Sequence, residues 1–171
     1  MINRNIKWGI IGLGKIAQKF AADLATIENV TLVAVASRSQ ENSDEFAEKF
    51  QVKKAYNSYG DLAKDSTIDA VYIATPHRFH KEHSILCLQN KKAVLCEKPF
   101  AMNLQEVEEM IAVAKENNVL LMEALWTFFL PHFNYVLDIV KNEKFGALKT
   151  LEADFGFYTP YNTESRLFNK E

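Results

Sequence analysis

The chain of 171 residues is long enough to bury one substantial core, removing roughly 70% of its unfolded surface, and fits one full domain plus a short remainder. Its formal net charge of -2 carries no basic excess of the kind that binds nucleic acid or an anionic membrane surface. No run of about eighteen apolar residues suggests a membrane span, and the glycine-interrupted N-terminal stretch lacks the cleavage signal of a secretory leader.

The first predicted element is a buried strand over Ile6–Ile11, a short run dominated by β-branched and aromatic residues. Gly12-Leu13-Gly14 breaks it, and residues 15–25 continue as a helix with Ile16, Phe20 and Leu24 at four-residue spacing. Residues 31–36 read as a second strand, residues 37–43 as a polar turn, and residues 44–50 as a helix. A short third strand over 52–56 and a short helix over 61–65 follow. The fourth strand, 70–74, is stopped by Thr75-Pro76, since proline cannot donate to a sheet ladder. A helix over 79–89 leads to a fifth strand, Ala93–Cys96. Next comes the clearest helix, Leu104–Asn117, capped by Asn103 with Glu106 three residues on as a near capping box. A sixth strand over 119–122 and a helix over 133–140 complete the series. Strands of buried type alternating with helices predict an α/β fold, a doubly wound parallel sheet covered on both faces.

After Gly146 the pattern changes. Residues 147–158 alternate partly with period two and read as one long strand, followed by a polar tail. A lone strand cannot bury its apolar face, so this stretch is expected to need sheet partners or to self-associate. Cys87 and Cys96 have neither metal-ligand spacing nor a disulfide framework, and read as buried thiols of a reducing cytoplasm.

The sharpest local motif is Gly12-Leu13-Gly14-Lys15-Ile16-Ala17, between a strand and a helix. The first glycine permits a tight turn, the second lets backbone approach a pyrophosphate, and small Ala17 permits close helix–strand packing. The helix N-terminus then offers free N–H groups to phosphate oxygens. The same pattern outside this context would mark only a compact turn. At the end of the second strand an NAD-preferring site usually carries an acid for the ribose hydroxyls. Here Ser37-Arg38-Ser39 stands instead, and Arg38 suits a bidentate contact with a 2′-phosphate, with the serine hydroxyls beside it. The other reading of Arg38 is an ordinary surface arginine. NADP(H) is therefore the expected ligand, with NAD(H) as the less favoured one.

Two further loops end strands on the same side. Thr75-Pro76-His77 is placed to border the nicotinamide half of a dinucleotide. His77, His80 and His83 invite a metal reading, but steps of about 300° spread them around a helix, and no carboxylate cluster completes a set. No metal is expected, and His80 reads as a loop-organising or site-edge residue. Glu97-Lys98-Pro99 leaves Lys98 with two readings, a group that orients a substrate hydroxyl and takes its proton, or a surface lysine before a proline. Glu97 either holds that lysine electrostatically or faces solvent. Beyond the sixth strand, Trp126 is a candidate pocket wall, whereas Phe128 and Phe129 read as core packing.

Taken together, G-L-G-K-I-A, A-T-P-H-x-x-H, E-K-P and M-E-A-L-W resemble the glucose–fructose oxidoreductase and inositol dehydrogenase (Gfo/Idh/MocA) family along essentially the whole chain. The nearest branch contains dimeric dihydrodiol dehydrogenase and NADP-dependent xylose dehydrogenase. The resemblance implies a Rossmann-type domain over residues 1–125, a connecting helical segment over 126–146, and the start of a second α+β domain over 147–171. It implies dinucleotide contacts from Gly12, Gly14, Lys15 and Ile16, ribose-phosphate contacts from Ser37 and Arg38, and nicotinamide-side positions for Thr75, Pro76 and His80. Glu97 would also lie near the cofactor, Lys98 matches the catalytic lysine, and Trp126 matches an aromatic residue at the active-site entrance. The implied activity is NADP(H)-dependent oxidation of a secondary alcohol in a sugar, polyol or trans-dihydrodiol, in a cytoplasmic homo-oligomer of the full-length protein. Members of this family are considerably longer, and their second domain supplies further site residues. The present chain is thus expected to bind cofactor with reduced or absent turnover. A non-catalytic NADP(H)-binding or redox-sensing protein, or a structural fragment, is the alternative.

Overall fold

The computed structural model describes residues 4–163 and 168. Six parallel strands form one sheet: β1 (Ile6–Ile11), β2 (Val30–Ala36), β3 (Lys54–Tyr56), β4 (Ala70–Ile73), β5 (Ala93–Cys96) and β6 (Leu121–Glu123). Their order across the sheet is β3-β2-β1-β4-β5-β6, the doubly wound arrangement with its switch point between β1 and β4. Helices α1 (Lys15–Leu24), α2 (Gln40–Phe50), α3 (Tyr59–Lys64), α4 (His80–Gln89) and α5 (Leu104–Asn117) connect them.

Alternating strand side chains divide the core between two faces, as the period of two requires. Ile10, Val35 and Tyr72 pack on one face with Ala17 and Ala21 of α1 and Phe46 and Ala47 of α2. Ile11, Ala34, Ala36, Val71 and Ile73 pack on the other with Leu62, Cys87, Leu88 and Ala114 of α3, α4 and α5. Both faces being covered explains why the strands read as apolar runs. Asn103 Oδ1 accepts the Glu106 N–H at 3.0 Å, and the Glu106 carboxylate accepts Met102 N–H at 3.1 Å. This is the expected capping exchange, shifted by one residue at its return bond.

Several boundaries differ from expectation. Helix α2 begins at Gln40, not near residue 44, because the Ser39 side chain caps it by accepting from Asn42 N–H. Strand β6 starts at Leu121, two residues late, since Asn118 is left-handed at φ 53° and Val119 N–H still bonds Ala114 of α5. The largest correction concerns the tail. Residues 147–158 form no strand, because ladder hydrogen bonds need a partner strand and none is present among the described residues.

The polypeptide divides after Trp126 into two units. A 3₁₀ turn over Trp126–Phe129 begins at the last residue of the first unit, and α6 (Pro131–Lys141) follows in the second. Phe128 and Phe129, expected as core, are more than half exposed; Phe128 meets Phe129 edge-on and Phe133 at a tilt. No helix among the described residues is long and apolar enough to cross a membrane.

Candidate nucleotide and proton-transfer site

Parallel pairing brings the ends of all six strands to one row. Tyr56 pairs with Ala36, Ala36 with Ile11, Ile11 with Ile73, Ile73 with Cys96, and Cys96 with Glu123. The next residues, Gly12, Ser37, Ala74, Glu97 and Ala124, therefore leave the sheet along one edge. Loops at this carboxyl edge, beside the switch point, are where open α/β sheets bind ligands.

The glycine turn is built for close approach. Gly12 sits at φ +87°, and a Cβ there would lie 2.7 Å from Thr75 N and 2.8 Å from Ala74 C. Only glycine fits between the two strands' exits. Gly14 differs: its φ is -74°, and a Cβ would meet nothing within 4 Å. The space above Gly14 is open, no side chain caps α1, and Lys15 and Ile16 are exposed beside it, while Ala17 is fully buried against the sheet. An open cradle at uncapped amides fits a phosphate group.

The turn after β2 is internally hydrogen-bonded. Ser37 Oγ donates to Ser39 O at 2.6 Å and accepts from Ser39 N–H at 3.1 Å. The Ser37 N–H bonds Ser43 Oγ at 3.0 Å, and Ser43 Oγ in turn donates to Tyr56 O at 2.8 Å. Ser37 is thus buried and organises the turn, and Arg38 stands exposed at its tip. The contribution of Ser43 was not legible beforehand; its spacing of four from Ser39 was the available signal.

Thr75 is buried, with Oγ1 3.0 Å from His83 Nδ1. The His83 ring lies edge-on to Tyr59 and stacks with Phe79. Burial pushes its pKa below the ordinary histidine value; His80 and Arg38 act in the same direction and Glu82 opposes them. His80 is almost wholly buried, its Nδ1 2.9 Å from Pro99 O and its Nε2 2.8 Å from Thr75 O. It joins the loop after β4 to the loop after β5. His80 and His83 both point inward, so the expected spread of the three histidines around a helix does not hold. Only His77 is exposed, in a 3₁₀ turn that precedes α4, as is the neighbouring Pro76.

Glu97 is held at both oxygens. Tyr72 Oη donates to Oε1 at 2.5 Å, and the Lys98 backbone N–H donates to Oε2 at 3.2 Å. Tyr72 is buried in β4 and stacks on Phe20 with ring centroids 3.9 Å apart. Its phenol pKa is raised, first by burial and then by its hydrogen bond to Glu97, so the hydroxyl keeps its proton. Sequence reasoning took Tyr72 for strand core and missed this role; a phenol among aliphatic strand residues was the only hint. Lys98 itself is exposed at the edge, across a cis peptide bond from Pro99. Trp126 is exposed, with 64% of its surface accessible.

Comparisons with known proteins agree with the fold. Residues 6–125 match the GFO_IDH_MocA oxidoreductase family, described by its NAD-binding Rossmann fold. A trans-1,2-dihydrobenzene-1,2-diol dehydrogenase of Xenopus laevis is 42% identical over 167 residues, covering 96% of this chain and 50% of the relative. The human enzyme of that name is 42% identical over 153 residues, covering 88% of this chain and 46% of its own. This chain therefore spans about half the length of the curated relatives it matches. Among solved structures, scyllo-inositol dehydrogenase from Lactobacillus casei with bound NAD(H) and scyllo-inositol aligns with a TM-score of 0.77 at 27% identity, covering 84% of this chain and 43% of that one. A 3-ketoreductase from Actinomadura kijaniata in complex with TDP-benzene and NADP aligns at 0.76 and 30% identity, covering 81% and 44%.

Proposed function

This chain belongs to the GFO_IDH_MocA oxidoreductase family with its NAD-binding Rossmann fold, and from that premise we propose that it binds NADP(H) in preference to NAD(H) and serves oxidation of a secondary alcohol in a sugar, polyol or trans-dihydrodiol. The observation that carries this reading is the convergence at one sheet edge of the glycine turn, Arg38 and Lys98, with no acid at the end of β2.

The open backbone at Gly14 and the first turn of α1, with Lys15 and Ile16, hold the diphosphate. Arg38, presented by the Ser37–Ser43 network, pairs with the 2′-phosphate; an acid at the same place would repel it. Thr75, Pro76 and Glu97 border the nicotinamide side, with His80 locking the loops that carry them. When bound, the nicotinamide supplies a hydride acceptor or donor. Lys98 holds the substrate oxygen and takes the hydroxyl proton as the C–H bond is broken; in the reverse direction it returns the proton. Trp126 stands as an apolar wall. The NADP-bound ketoreductase and the NAD(H)-bound inositol dehydrogenase among its structural relatives support dinucleotide binding in this fold, and the dihydrodiol dehydrogenases support a small diol as substrate.

Fluorescence titration of the 171-residue chain with NADPH and NADH tests this. Tighter binding of NADPH is expected, and Arg38→Ala should weaken NADPH by about 10- to 100-fold, the worth of a charge-assisted contact, with little change for NADH. Equal affinity for the two nucleotides, or no effect of Arg38→Ala, would overturn the NADP(H) preference. Turnover of a sugar or diol would support the enzyme; binding without turnover fits a nucleotide sensor or part of an enzyme, and neither binding nor turnover fits a structural fragment.

A further inference from the structure

We propose that Tyr72 is a positioning residue that keeps the Glu97 carboxylate off the neighbouring Lys98 ammonium, leaving that amine free to meet a substrate oxygen. Glu97, partly buried, and Lys98, exposed, are neighbours of opposite charge, so an ion pair between their side chains is one arrangement open to them. None is formed: among the described residues Lys98 Nζ has no ion pair or hydrogen-bond partner. Both Glu97 oxygens are already occupied, Oε1 by the Tyr72 phenol at 2.5 Å and Oε2 by the Lys98 backbone N–H at 3.2 Å.

The phenol cannot readily move away. Tyr72 is 2% exposed, its ring is stacked on Phe20, Phe20 is edge-on to Trp8, and the strand beneath it is paired on both sides. A donor fixed in this way acts at Glu97 without reorganisation. Burial also raises the phenol's pKa, which favours its protonated, donating form. Of the two bonds that orient the carboxylate, one ties it to the backbone N–H of Lys98.

The consequence for Lys98 rests on its reading as the proton-transfer residue, but the positioning itself is testable without turnover. Limited acylation of the native chain at mildly alkaline pH, followed by peptide mass spectrometry, reads the reactivity of each lysine amine. Lys115, exposed on the last turn of α5, serves as the internal reference. In Tyr72→Phe, which keeps the ring and its stack, the freed carboxylate should pair with the ammonium. Lys98 labelling relative to Lys115 should then fall at least threefold. Adding Glu97→Gln to Tyr72→Phe should restore it, since an amide cannot form the pair. Glu97→Gln alone should leave labelling within twofold of the original chain. Unchanged labelling in Tyr72→Phe overturns the proposal, as does a fall that persists in the double variant. So does a rise of threefold or more in Glu97→Gln alone, because that would mean the pair already exists. NADPH titration of the unsubstituted chain runs in parallel: no binding there would sink the nucleotide reading, while the labelling ratios would still decide the role of Tyr72.

Discussion

Gly12 approaches Thr75 so closely that a Cβ on the glycine would lie 2.7 Å from the threonine's backbone nitrogen. Gly14, two residues on, faces open space. The two glycines of one motif therefore make opposite predictions. Gly12→Ala meets backbone, which cannot yield as a side chain can, and places alanine at a positive φ that costs about 1–2 kcal/mol by itself. It should destabilise the fold by at least about 2 kcal/mol in urea denaturation. Gly14→Ala should change stability by less than about 0.5 kcal/mol yet weaken NADPH by more than tenfold, by filling the phosphate cradle. Equal stability losses in the two variants would refute this division of labour.

His80 is expected to matter for folding more than for direct contact with a ligand. Its two nitrogens face Thr75 O and Pro99 O, and it is 1% exposed. His80→Ala leaves at least one of the two carbonyls without its donor and opens a cavity between two loops. A loss of about 2–4 kcal/mol follows from the lost hydrogen bond and the void together. Chemical denaturation measures it, and a variant as stable as the parent would show that the loops do not depend on this bridge.

Much of this arrangement was legible in the sequence, for identifiable reasons. The strand–helix alternation follows from apolar periodicity, and the Asn103 cap is a local signal three residues long. Strand ends at Gly12, Ser37, Glu97 and the loop at Thr75 could be placed at one edge because parallel strands must all end on the same side. Relationships that depend on tertiary pairing were not legible. Tyr72 and Glu97 lie 25 residues apart and meet only because β4 and β5 are neighbours. His80 was assigned to a loop role, but its partner Pro99 could not be named. The alternation over residues 147–158 suggested a strand, yet a strand is defined by its neighbour's hydrogen bonds as much as by its own pattern.

That tail bears on solution behaviour. Phe145, Phe155 and Tyr158 are each more than 85% exposed, and Leu148, Leu151 and Phe157 are largely exposed with them. Unpaired backbone beside exposed aromatic side chains promotes association. Sedimentation velocity should show concentration-dependent self-association of the 171-residue chain. Substituting Phe155 and Tyr158 by serine should reduce it without affecting NADPH affinity. A concentration-independent monomer would remove the argument.

The two thiols should be silent in the native state. Cys87 and Cys96 are fully buried, and burial pushes each thiol up to about 12, far from the range in which thiolate forms at neutral pH. A thiol-reactive chromogenic disulfide at pH 8 should react with neither until denaturant is added, and then with both. Rapid reaction of one thiol in the native chain would mean that the core around α4 and β5 opens easily.

Acid sensitivity should trace largely to Asp65. Burial disfavours its charge, but the Lys54 ammonium at 2.7 Å, the backbone and hydroxyl of Thr67, and the Tyr56 phenol outweigh that and hold the carboxyl well below the usual range. A folded-state value below the unfolded one means that the folded protein binds this proton less readily. Asp65 therefore contributes its full stabilisation above the unfolded carboxyl value of about 3.9, and loses it progressively as the pH falls through that value toward the lower folded one. Urea midpoints measured from pH 7 down to pH 3 should fall more steeply for the parent than for Asp65→Asn, which starts less stable because it has already lost the ion pair. Parallel pH profiles for the two proteins would show that Asp65 is not the group whose protonation loosens the β3–α3 edge of the sheet.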